Sequence, residues 1–374
     1  MRKFIYIILT ALCATGCQED ILPSDNPEGA LVYLSAIAES NTTTRTPYQY
    51  TAPNENEDGV LRTAIWASSY GNDQDGYKYP NKGENGKKDL QGNDVQEVAI
   101  HATANFNSKD PQLLNEAVYP HSGEKVFFIG LHPQEGWNIN SENEENNKAS
   151  FTFDGSQDLM FAPRRYGSYY VQENTFIALN LEFKHLLTWF KVFIKAENED
   201  AVRAWGKIKT MTITSKTKVE IDLSDQKSGA TEKNVTTEYF DFSKCTFSAD
   251  GWLPLHKAGS DEVFPDSNGY TLTTTSNDMV AYVLCAPVKG VKTTVENLID
   301  VTVPEYTLYI ETDTRKIELP IDLKLDEDTY FTGEARDARG KYFTLNLTFR
   351  MGNTVLVTAQ AEDWKLGGTG NAEL

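Results

Sequence analysis

The sequence predicts an all-β protein built as two β-sandwich domains in tandem. Three observations predict it. Short runs of β-branched and aromatic residues alternate at period 2 and recur along the chain, with turns rich in Gly, Asn and Asp between them. Only short helices are plausible, for example around Glu199–Trp205, so the pattern is that of a sandwich rather than of alternating strands and helices. Finally, 374 residues with 40% hydrophobic and 11% aromatic content suffice for two or three domains with their own cores.

The N-terminus reads as an export signal. Arg2 and Lys3 form a positive start, and Phe4–Leu12 an apolar run well short of the ~20 residues that span a bilayer. Leu12-Cys13-Ala14-Thr15-Gly16-Cys17 resembles a bacterial lipobox. That makes residues 1–16 a lipoprotein signal peptide and Cys17 the residue that carries acyl chains such as palmitate; an ordinary signal cut near Gly16 is the alternative. Each buried CH₂ of an acyl chain contributes ~0.8 kcal/mol, so several chains on one cysteine anchor stably. Gln18-Glu19-Asp20 resembles the acidic tag of surface lipoproteins in Bacteroidetes-type bacteria. Residues 17–29 are polar, carry Pro23 and Pro27, and read as a tether.

A first domain is expected over residues 30–172. Its first strand spans Ala30–Ser40, with Val32, Leu34, Ala36 and Ala38 on one face. A polar loop with Arg45 follows, then strands near Leu61–Ser69, Val95–Ala104, Leu113–Tyr119, Lys125–Leu131, Ala149–Phe153 and Leu159–Ala162. Gly71–Gly92 and Asn138–Lys148 read as surface loops, and Arg164–Gln172 as the domain boundary. The second domain, 173–374, opens with the most hydrophobic stretch of the mature chain, Phe176–Ala196. Strands are expected at Ile208–Ser215, Val219–Leu223, Glu238–Ser243, Tyr270–Thr275, Met279–Ala286, Val301–Thr312, Tyr342–Arg350 and Thr354–Trp364.

The formal net charge is −19, and loss of Arg2 and Lys3 with the signal leaves −21. Such acidity argues against nucleic acid as a partner and against direct binding to anionic headgroups. It reads most simply as a solubilising surface. With Cys17 acylated and Cys13 removed, Cys245 and Cys285 remain. Two cysteines 40 apart in an exported chain permit a disulfide; a pair of buried free thiols fits as well.

Nothing reads as an active site or a cofactor site. HExxH, GxSxG, CxxC and GxGxxG are absent. Gly83–Lys88 has the wrong glycine spacing for a phosphate loop, and Asn54–Gly59 lacks the twelfth-position glutamate of a calcium loop, where Ile65 stands. The five histidines have no metal-ligand spacing, and His185, between Phe183 and Leu186-Leu187, reads as a core histidine. Tyr166, Tyr169, Tyr170 and Trp205 are the aromatics that could form a platform for sugars, although packing explains them equally. No metal or cofactor is expected, and the chain reads as non-enzymatic.

Several motifs then point to a family. Asp158-Leu159-Met160-Phe161-Ala162, followed by Leu181–Leu187 with its Phe183-Lys184-His185, resembles the centre of the fimbrillin (Mfa-like) proteins of Bacteroidetes. Tyr119-Pro120 and Val126–Pro133 resemble that family's paired Tyr-Pro segments, with Leu131-His132 where tyrosines are common. Ala361–Trp364 before Gly367-Gly368 is similar to the family's ending. Each motif is loose; their order and spacing carry the resemblance.

The resemblance implies two transthyretin-like sandwiches in a pilus subunit of the outer membrane or of fimbriae, acting in cell adhesion as a stalk, anchor or tip component. Implied partners are other pilus subunits, the outer membrane through the lipid, and host or bacterial surface receptors. It also implies proteolysis after an arginine past the first strand, for which Arg45 is the best match, and refilling of the groove by a neighbour's strand. Such exchange restores main-chain hydrogen bonds and core contacts together. The last strand presents Val355, Val357, Ala359 and Ala361 at period 2, the same large-large-Ala-Ala order as Val32, Leu34, Ala36 and Ala38. It is therefore the candidate donor, and the first strand the candidate displaced one. Ordinary alternation in two separate sandwiches accounts for the same pattern. The alternative function is a glycan-binding outer-membrane lipoprotein of a polysaccharide-uptake system, resting on Tyr169 and Trp205.

Overall fold

A computed structural model describes residues 31–38, 61–69, 101–106, 112–118, 126–140, 148–167, 179–223, 242–275, 278–288, 292–293, 301–302, 306–321, 323, 338–351 and 354–363. Within them the chain is all-β as expected, with one α-helix, α1 (Glu199–Trp205), where the sequence places it. Asn198 caps α1, its side chain accepting from the Ala201 amide, while Gly206 stops it at φ 70°.

The strands of the first half are β1 (Leu31–Ala38), β2 (Leu61–Ser69), β3 (His101–Phe106), β4 (Gln112–Val118), β5 (Val126–His132), β6 (Asn138–Asn140), β7 (Lys148–Thr152), β8 (Met160–Gly167) and β9 (Leu179–His185). Seven of them form one sheet in the order β3-β2-β5-β8-β9-β1-β4. The sheet turns a corner at β9. Its last residues pair with β8 (Phe161↔Lys184, Met160↔His185), whereas Leu179–Phe183 pair with β1. Two layers result, β3-β2-β5-β8 and β9-β1-β4, with β3 lying against β4 at the far edge. β5 is buried along its whole length, as its continuous apolar run requires. Gly130 in β5 is where Phe183 of β9 crosses: a Cβ there would stand 2.4 Å from the Phe183 ring, so only glycine lets these layers approach.

The second half contributes β10 (Thr188–Ala196), β11 (Lys207–Asp222), β12 (Cys245–Lys257), β13 (Val263–Phe264), β14 (Tyr270–Thr271), β15 (Ala281–Cys285), β16 (Lys292–Thr293), β17 (Val301–Thr302), β18 (Tyr306–Thr312), β19 (Lys316–Ile321), β20 (Lys341–Phe349) and β21 (Val355–Asp363). The main path is β19-β18-β11-β12-β15-β10-β20-β21, with β16 and β17 paired separately. Here β12 turns the corner. It follows β11 from Cys245 to Pro254, then crosses to β15 at His256 and Lys257. Phe190, Tyr306, Phe343 and Trp205 are among the large side chains closed between the layers. The β6–β7 hairpin, early in the chain, adds to this second sheet through Thr152↔Lys218 to Lys148↔Asp222.

Several local expectations change. β12 and β19 lie where no strand is expected, and β6 lies inside the expected loop Asn138–Lys148. The two strands expected around Lys216–Lys218 are one continuous β11, because β12 and β7 pair along this polar section. The Cys245–Cys285 disulfide is not formed. Cys285 packs at Ser215, since the next amide, that of Ala286, donates to Ser215 Oγ at 2.9 Å, whereas Cys245 pairs with Ile221. Six residues of strand separate these two points, ~20 Å, and a disulfide needs Cα atoms within about 7 Å.

Candidate functional site: the β1 slot and the Asp158–His185 pair

β1 is the central strand of its layer. On one side it runs parallel to β9, from Leu34↔Leu179 through Ala36↔Leu181 to Ala38↔Phe183. On the other it runs antiparallel to β4, with Leu31↔Val118, Tyr33↔Leu113, Leu34↔Gln112 and an irregularity between the first two. Among the described residues, β4 has no sheet partner other than β1, and Leu179–Phe183 of β9 pair with no other strand. Taking β1 away would leave a slot whose two walls both carry unpaired backbone groups, one wall parallel and one antiparallel to an incoming strand. Leu181 and Phe183, on the parallel wall, are fully buried.

The candidate donor residues lie in β21, at the edge of the other sheet. Val355, Val357, Ala359 and Ala361 pair with Phe349, Leu347, Leu345 and Phe343 of β20. Val355 and Val357 pack against the core while Leu356, between them, is exposed. Thus β1 and β21 each stand in a sheet of their own chain, and Val32, Leu34, Ala36 and Ala38 occupy alternate positions of β1. Cys17 and Arg45 lie outside the described residues, as do Tyr169, Tyr170, Asn54–Gly59 and Gly83–Lys88.

The two halves of the central motif meet. Asp158 precedes β8 and His185 ends β9, and the Met160↔His185 register brings them side by side. His185 Nδ1 lies 2.8 Å from Asp158 Oδ2, and both side chains are essentially excluded from water. The Leu186 amide donates to Leu159 O at 2.8 Å beside them. The next residues are fastened to the turn before β20: Gly340 N donates to Leu187 O, Thr188 Oγ1 to Ala338 O, and Arg339 to His185 O. His185 is a core residue as the sequence suggests. Its partnership with Asp158 is not legible from either motif alone, 27 residues apart, because only the β8–β9 register creates it.

Trp205, a candidate for sugar contact, is fully buried. Its Nε1 donates to Arg350 O, and its ring meets Phe349 edge-on, so it packs α1 onto β20 and presents no face to a ligand. Tyr166 stacks obliquely on Phe127. Among the described residues no group of three His, Cys, Asp or Glu side chains could hold a metal ion, and no helix is long and apolar enough to cross a membrane.

No protein-family model matches the chain, and no curated protein matches it. Solved structures do. A provisionally named cell adhesion protein from Bacteroides uniformis aligns over 90% of this chain and 99% of its own, at 14% identity and a TM-score of 0.45. A fimbrial protein from Bacteroides vulgatus aligns over 89% and 99%, at 14% identity and 0.40. Proteins provisionally named for polysaccharide binding, from Bacteroides thetaiotaomicron, align over 89% and 98%, at 6% identity and 0.39. Likenesses at this level carry no functional argument, and the functional reading rests on the chain itself.

Proposed function

We propose that this chain is a non-enzymatic adhesion component of the bacterial surface, exported as a lipoprotein on Cys17 and assembled into a fimbria by strand exchange. The observation that carries the reading is the place of β1. It is the first strand among the described residues, directly after the expected tether, and it is also the central strand of the β9-β1-β4 layer. A cut at Arg45 separates tether, lipid and β1 from everything that follows. The slot then left between β9 and β4 has a defined polarity and an apolar floor, which suits a neighbour's strand such as β21. Uncut, the same segment keeps the chain at the membrane as a fixed base; cut, it yields a polymerising subunit.

The test is to incubate the purified precursor with a trypsin-like protease at high concentration and run the products unboiled on SDS gels. A ladder of resistant oligomers that disappears in Arg45→Ala is the expected result. A complete cut after Arg45 that leaves only monomers would sink strand exchange.

A further inference from the structure

Of the five tryptophans in described segments, four are 0–6% exposed: Trp66, Trp137, Trp189 and Trp205. Trp252 is 47% exposed, and it is the sole aromatic among the large exposed apolar side chains of the described residues. It stands on the outer face of the second sandwich, between the inward-facing Leu253 and the Gly251 of β12. Its cross-strand neighbour on β11 is Thr214, whose hydroxyl accepts from the Thr307 amide of β18. Two residues along β18, the ring of Tyr309 stands 6.2 Å from that of Trp252, at 70°. Thr210, Thr212 and Thr214 of β11 alternate with buried Met211 and Ile213, so their half-exposed side chains floor the same face.

Several of the charges around these rings are paired, and Glu318, the cross-strand neighbour of Tyr309 on β19, adds an exposed carboxylate. Lys216 pairs with Asp250 on one side of Trp252. On the other side the Tyr309 hydroxyl donates to Glu311 Oε2 at 3.0 Å, and Lys316 Nζ lies 3.1 Å from Glu311 Oε1. Two rings, a threonine floor and a rim of fixed donors and acceptors match a ligand with apolar C–H faces and hydroxyl edges. The chain as a whole is acidic, with a formal net charge of −19, which disfavours a polyanion at this face.

We infer that the outer face of β12, β11 and β18, centred on Trp252 and Tyr309, is a binding site for neutral glycan chains. A pyranose ring stacks on Trp252, Tyr309 closes one side of it, and Glu311 with the threonine hydroxyls takes its hydroxyls. This inference adds a receptor chemistry to the proposed surface role and uses neither β1 nor Arg45, so it stands or falls apart from strand exchange.

The experiment is affinity electrophoresis of the full chain, held in a detergent without a sugar headgroup, through gels containing mannan, galactomannan, xylan, laminarin or dextran, with heparin as the polyanion. Retardation by at least one neutral polysaccharide is expected. Trp252→Ala should weaken it at least tenfold with an unchanged melting curve, while Trp252→Phe keeps most of it. Should Trp252→Ala fold poorly, Tyr309→Ala decides in its place, with a loss of at least threefold expected. No retardation by any neutral polysaccharide, binding to heparin alone, or binding that survives these substitutions within twofold overturns the inference. So does a Trp252-dependent self-association without glycan binding, which would make the face a contact between copies.

Discussion

Removal of β1 should have a large and localised effect. The perturbation is a chain beginning at Thr46, compared with one beginning at Gln18. β1 contributes five residue pairs with β9 and three with β4. At about 1 kcal/mol net per backbone hydrogen bond, losing these ladders costs on the order of 5–8 kcal/mol. That is comparable to the whole stability of a typical domain, ~5–15 kcal/mol. The assay is amide hydrogen exchange read peptide by peptide. Leu179–Phe183 of β9 and Gln112–Val118 of β4 should lose at least ~10³-fold in protection, since each 1.4 kcal/mol is about a factor of ten. Amides of β10 and β20, which pair with each other from Trp189↔Tyr342 to Ala196↔Phe349, should keep theirs. A synthetic Ala30–Ser40 peptide should restore β9 and β4 together. Equal protection of β9 with and without residues 18–45 would refute the reasoning, because it would mean that β1 does not hold the layer.

Three further outcomes are expected. Asp158→Ala leaves His185 Nδ1 without this partner in a water-free site and should cost about 1–3 kcal/mol in denaturant unfolding; in a double-mutant cycle with His185→Ala the coupling should exceed ~1 kcal/mol, and additivity within about 0.5 kcal/mol would contradict the pairing. Gly130→Ala puts a Cβ into the Phe183 ring and should cost about 1–3 kcal/mol, with Phe183→Leu recovering part of it in the double variant; an unchanged midpoint for Gly130→Ala would show that the layers can separate. The Lys316 ammonium, then the Tyr309 hydroxyl, hold the Glu311 carboxyl below the ordinary carboxylate range. A depressed carboxylate contributes its stabilisation above the usual carboxylate range and loses it as pH falls through the folded value. Lys316→Ala should therefore raise the Glu311 titration seen by carbon NMR, and an unmoved titration would remove this ion pair from the rim around Tyr309.

Strand content was legible wherever alternation met a hydrophobic face. β2, β5, β20 and β21 fall within a residue or two of the expected runs because one or both of their faces pack into the core. β12 was not legible. Its Ala249-Asp250-Gly251 reads as a turn, and Ala249 does take φ 62°, yet β11 carries the strand through it by pairing. β19 alternates partly covered with exposed residues, up to Pro320, so its hydrophobic signal is weak, and its place is set by β18. The same limit applies to tryptophans. Trp205 in an amphipathic helix and Trp252 beside a glycine give no sequence cue to exposure; the structure buries the first and leaves the second exposed.

By itself the sequence determined the class of fold and the apolar alternation of the first strand, and it is the source of the proposed export signal and of the proposed lipid on Cys17, because each is written in contiguous residues. Tertiary structure decided everything that depends on register between distant segments. It put Cys245 and Cys285 too far apart to bridge, joined Asp158 to His185, and set Trp252 beside Tyr309. It also placed β1 in the middle of its layer, between a parallel and an antiparallel neighbour. A strand's pattern shows which face it buries; only the hydrogen bonds on its two edges show what its departure would undo.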